Sequence, residues 1–65
     1  MLIRVSKRIL DGLTAVRDSG NINMLDRPKV IQVLEQLGFD EAAHWVEQNK
    51  RTYTLGILRG FQANQ

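Results

Sequence analysis

Gly20, Gly38 and Gly60 cut the chain into short segments, and this punctuation limits what it can fold into. Between the glycines, apolar residues recur three and four positions apart rather than alternating, the period of a helix with one buried face. From about Val5 to Asp18, the residues Val5, Ile9, Leu13 and Val16 share one stripe with Leu10 on its flank, while Lys7, Asp11, Thr14 and Asp18 lie opposite. Ser6 suits the N-cap, because its hydroxyl can accept from an early backbone N–H, and Ser19-Gly20-Asn21 suits the stop. A second helix is predicted from the cap Asp26 through Leu37, with Pro28 in its first turn, where a missing N–H costs nothing. Leu25 and Val30 have the spacing of a hydrophobic staple, and Val30, Val33, Leu34 and Leu37 form the stripe. A third, short helix is expected over Glu41–Gln48 behind a cap at Asp40, with Ala42, Trp45 and Val46 inward. Asn49 either caps a fourth helix or bends a continuous one. The fourth runs from about Arg51 to Gly60 or Phe61 on a stripe of Tyr53, Ile57 and Phe61.

These segments predict an all-α fold, a compact bundle of four short helices joined by short loops. Residues 6–61 make a single helical domain, residues 1–5 an N-terminal leader and residues 62–65 a C-terminal tail that frays. Met1-Leu2-Ile3 is apolar outside the first stripe; it either extends that helix or pairs with a neighbouring subunit.

Length sets the energetic frame. A chain of 65 residues buries only ~60% of the surface its unfolded form exposes, and with no cysteine it has no disulfide or thiolate metal site to help. Part of its apolar surface is then left for a neighbour to cover. The fourth segment fits that expectation: Leu55 and Leu58 widen its apolar arc beyond one core contact, and Gly56 and Gly60 share one edge. Glycine inside a helix costs ~1 kcal/mol relative to alanine, so two on one edge suggest close approach of another helix, with Gly12 as a candidate counterpart. Self-association as a homo-oligomer is therefore placed on Leu10, Leu55, Gly56 and Leu58.

Charge is segregated. Residues 1–19 carry four basic and two acidic side chains, residues 20–49 two basic and five acidic, and residues 50–65 three basic and none acidic. If the first and fourth helices are neighbours, Arg4, Lys7, Arg8, Lys50, Arg51 and Arg59 form one partner-binding surface. That surface suits a protein first, and a nucleic acid or a signalling nucleotide as alternatives. Val30–Asn49 superficially suits a helix-turn-helix, but its second helix carries Asp40, Glu41 and Glu47, which phosphate repels.

Bond-making chemistry has little to work with. The one histidine, His44, lies on a polar helix face four residues after Asp40, where a surface hydrogen bond explains it. Ser6 and Ser19 have no adjacent base, and Gly56-x-x-x-Gly60 lacks the Lys-Ser/Thr of a phosphate loop. No enzyme activity, cofactor or metal is expected. The longest apolar run is far short of a membrane span, and MLIRVSKRIL lacks the apolar stretch of a signal peptide, which implies a cytoplasmic location with no membrane partner.

Several short pieces together resemble a known group: Lys7-Arg8-Ile9-Leu10-Asp11-Gly12, Asn23-Met24-Leu25-Asp26, Gly38-Phe39, Trp45, Asn49, Tyr53, Gly56-Ile57 and Gly60-Phe61. From about Ser6 to Phe61 the chain resembles a family of short, uncharacterised helical proteins encoded by phages and prophages. The resemblance implies action inside a bacterial host cell, and no functional residue is carried over from it. Small phage proteins of this kind act by binding: they block a host defence protein, sequester a signalling nucleotide or adapt a larger machine. The combined expectation is a non-enzymatic interaction protein that self-associates and binds a bacterial host or phage protein, as an inhibitor of host defence. The alternatives are a nucleic-acid-binding accessory protein and a sponge for a signalling nucleotide.

Overall fold

A computed structural model describes residues 2–64, in the order β1 (Ile3–Ser6), α1 (Lys7–Asp18), α2 (Arg27–Gln36), α3 (Asp40–Gln48), α4 (Lys50–Arg59) and β2 (Phe61–Asn64). The four helices follow from local signals. Ser6 caps α1, its hydroxyl accepting from the Ile9 N–H at 3.3 Å. Asp26 caps α2, accepting from the Lys29 N–H at 3.4 Å, with Pro28 in the first turn. Gly20 and Gly38 take positive φ (79° and 87°) just after α1 and α2, the left-handed conformation that closes a helix and favours glycine.

One boundary expectation is corrected, and the alternatives at Asn49 are decided, since it holds the cap position of α4. Phe39, not Asp40, occupies the cap position of α3 and makes no side-chain cap bond. Asp40 and Glu41 instead lie in the first turn, where the positive end of the helix dipole favours carboxylates. Asn49 does separate α3 from α4, but its side chain serves the preceding helix: Nδ2 donates to the Trp45 carbonyl at 2.9 Å.

The all-α expectation is overturned by the chain ends. Residues 3–6 and 61–64 form a two-stranded parallel sheet in the register Ile3↔Phe61, Arg4↔Gln62, Val5↔Ala63, Ser6↔Asn64, so the fold is mixed α/β. A parallel pair needs a long crossover, and all four helices supply it. Gly60 makes the return possible: with φ at 106° it turns the chain out of α4, and its carbonyl accepts from the Ile3 N–H at 2.9 Å. The leader thus pairs with the tail of its own chain and does not extend α1, and residues 62–64 are strand. Met1 and Gln65 lie outside the described residues.

Val5, Ile9, Leu13, Val16, Val30, Leu34, Ala42, Ala43, Val46 and Tyr53 form the buried core. Burying one aliphatic side chain of this kind is worth roughly 1.5–3 kcal/mol. Gly12 lies where α1 meets α3: a Cβ there would stand 2.8 Å from the Ala42 Cβ, and 3.1 Å from both Leu34 and Phe39. The close approach expected of Gly12 is therefore made to α2 and α3, not to α4. Arg27 adds a tie between α2 and α3, its Nε donating to the Val46 carbonyl at 3.2 Å.

Candidate interaction surfaces

The fourth helix is attached by three separate devices. Tyr53 is 1% exposed, and its hydroxyl donates to the Met24 carbonyl, tying α4 to the loop between α1 and α2. Burial pushes the Tyr53 phenol up to about 12, because the charged phenolate would be stranded away from water. Phe61, the first residue of β2, lays its ring over Gly56 where any Cβ would collide with it. The same ring meets Trp45 edge-on and Tyr53 at a tilt, both with centroids 6.1 Å apart. Gly56 thus makes room for an aromatic ring of its own chain. The third device is the strand pair.

These attachments split the predicted self-association residues between two surfaces. Leu10 and Gly56 line an apolar groove of about 240 Å³ between α1 and α4, with Leu13, Met24, Ile57 and Phe61, and with Thr14 and Arg17 contributing its polar atoms. Leu55 and Leu58 lie elsewhere, on the outer side of α4. Leu58 is 69% exposed, more than any other large apolar residue described.

The predicted cations also separate into two groups. Arg4 sits on the solvent side of β1, whose alternate residue Val5 enters the core. Lys7 and Arg8 open α1 and both meet acids: Lys7 Nζ stands 3.2 Å from Asp11, and Arg8 Nη1 stands 3.8 Å from Glu41. Glu41 also accepts from the Ser6 hydroxyl at 3.3 Å, so this carboxylate links the start of α1 to the start of α3. Lys50, Arg51 and Arg59 are exposed on α4 and, among the described residues, enter no ion pair. Lys50 and Arg51 line a shallow hollow of about 500 Å³ with Thr54 and Leu55. The outer side of α4 therefore combines members of both predicted sets, two leucines and three cations.

A second hollow, about 340 Å³, lies between α1 and the start of α3. Phe39 and Ala42 contribute its apolar lining, and Asp11, Asp40, Glu41 and Arg8 its charges. Sequence reasoning missed this hollow and the groove at Arg17 and Met24. The Leu10, Thr14, Arg17 spacing was available on α1, but nothing local shows which helix lies across from it. His44 is exposed and forms no hydrogen bond with Asp40, and no group of three or more metal-ligating side chains occurs among the described residues. Nor is any described helix long and apolar enough to cross a membrane.

With this geometry in place, comparison with known proteins gives the class. Residues 5–61 match the family described as a domain of unknown function, DUF5049. The chain belongs to that family, and the match spans every helix, from the buried Val5 to the Phe61 ring. No curated protein and no solved structure gives a match.

Proposed function

We propose that this domain works by binding another protein, and that the outer side of α4 is its docking surface. One observation carries the reading: Leu58 stands 69% exposed on a helix whose three cations meet no acid among the described residues. An apolar side chain bordered by solvated charges, two of them arginines, has the layout of an interface, an apolar centre inside a polar rim. A protein partner fits this surface better than nucleic acid does. Single strands are gripped by stacking bases on free aromatic rings, whereas Trp45, Tyr53 and Phe61 are engaged with one another.

The resemblance to phage and prophage proteins adds a setting. Inside a bacterial host cell, a domain of this size acts by occupying a surface, and inhibition of a host defence protein is the concrete form of that action. Capture from a nuclease-treated bacterial lysate, with wild type, L58D and K50E/R51E/R59E as parallel baits, tests the reading. A protein held by wild type and lost by both variants is the expected result. Captured proteins indifferent to both sets of substitutions would overturn it.

A further inference from the structure

Resting on the reading of α4 as a docking surface, we infer that this surface also binds a second copy of the chain, with Leu58 of one copy seated in the hollow between α1 and α3 of the other. The two surfaces are complementary in shape and charge. Leu58 projects from α4, while the hollow is concave, about 340 Å³, with Phe39 and Ala42 in its apolar lining. The cations around the projection are Lys50, Arg51 and Arg59. The charges around the hollow are Asp11, Asp40 and Glu41 against Arg8, with Lys7 beside Asp11. Lys7 and Arg8 offset Asp11 and Glu41, which leaves Asp40 without an ion-pair partner among the described residues. Among the described residues no cation of α4 pairs with Asp40 within one chain, so each copy presents both halves of the contact: the α4 cations and the unpaired Asp40 beside the hollow.

Two leucines and three cations cover less than the ~800 Å² per partner of a standard stable interface. Association is therefore weak, with a dissociation constant of roughly 10 μM to 1 mM, and it weakens with salt because the rim charges are exposed. A host protein that uses α4 competes with the second copy, so self-association sets how much of that surface is free.

Sedimentation equilibrium at low salt, over a concentration range reaching millimolar protein, tests the inference. The average mass of wild type should climb above 7.4 kDa with concentration, and L58D should weaken association about tenfold or more. K50E/R51E/R59E alone and D11K/D40K alone should each stay monomeric, and their mixture should associate. R4E/R17E/K29E, equal in net charge to the α4 triple variant but with α4 and the hollow intact, should still self-associate; circular dichroism confirms that every variant is folded. Wild type that stays monomeric throughout overturns the inference, and so does a mixture that fails to associate. Binding of wild type to phosphatidylglycerol vesicles or to a single-stranded oligonucleotide, without self-association, assigns the surface to those ligands and overturns it as well. A monomer whose capture of a host protein still depends on Leu58 refutes only the second-copy contact. Association and capture that both ignore the α4 substitutions refute the docking surface itself.

Discussion

The assembly of α1, α2 and α3 and the segment formed by α4 and β2 are held by different means. Val16, Val30, Leu34 and Val46, spread over the first three helices, are completely buried against one another's neighbourhood. The fourth helix contributes only Tyr53 and Gly56 to the buried set. Its place is fixed by the hydroxyl of Tyr53 on Met24, by the Phe61 ring over Gly56 and by the pairing of the two chain ends. A short chain has few apolar residues to distribute. Here they are concentrated among three helices, and the fourth is fastened at points. That economy leaves the outer side of α4 uncommitted, with Leu58 and the three cations exposed and Leu55 half-buried beside them.

This contrast predicts that damage to the first region is global and damage to the second is local. The largest effect belongs to Leu34→Ala. The residue is 0% exposed, and such a truncation costs about 2–5 kcal/mol. A chain of 65 residues has a total stability of roughly 3–10 kcal/mol, so the loss is a large share of it and the urea unfolding midpoint should fall steeply. Gly56→Ala comes next. Its methyl enters the space of the Phe61 ring, an overpacking cost of about 1–3 kcal/mol, offset by ~1 kcal/mol of helix propensity. Native-state hydrogen exchange should show the loss of protection in β1, α4 and β2 and its retention in α1, α2 and α3. Equal loss in all elements would break the comparison, because it would mean that the point fastenings and the three-helix core open as one unit.

Tyr53→Phe sharpens the same comparison by removing one fastening and keeping the ring. Loss of the bond to Met24 should cost about 1 kcal/mol, read by thermal melting near neutral pH. Its pH dependence has a definite sign. Burial raises the folded phenol from 10.0 to about 12, so the folded state holds this proton more tightly than the unfolded state does. The resulting stability is fully present below about pH 10 and is lost as pH rises toward 12. Melting curves across that window should fall more steeply for wild type than for Tyr53→Phe, and identical slopes would remove Tyr53 as the cause.

The two regions also differ in how much of them the sequence announces. The caps at Ser6 and Asp26, the turns at Gly20 and Gly38 and the stripe from Val5 to Val16 are local features, so helices α1 and α2 were legible residue by residue. The strand pair was not. Ile3-Arg4-Val5 alternates, and so does Phe61-Gln62-Ala63, but four residues are too few to separate a strand from the end of a helix, and no local signal links positions on opposite ends of a chain. Phe61 continues the Tyr53–Ile57 helical spacing, which hides that Gly60 has already turned the chain. Gly56 and Gly60 did signal close packing, but their neighbours were a ring and Leu2 rather than a second helix. At the candidate surface, the leucines and cations of α4 were singled out separately. Their union depends on which side of α4 faces the core, and the buried Tyr53 and Gly56 decide it.

The smallest stability effect is the one that separates docking from folding. Leu58→Asp removes an apolar side chain that is 69% exposed, and surface substitutions of this kind stay within about 0.5 kcal/mol. Chemical denaturation should therefore give the same midpoint as wild type, even where the proposed binding through α4 is abolished. A carboxylate introduced at position 58 lies in the last turn of α4, where the negative, carbonyl end of the helix dipole disfavours it slightly. A loss well above 1 kcal/mol would show that Leu58 supports the fold, and the outer side of α4 would then belong to the fastening of the helix rather than to a partner.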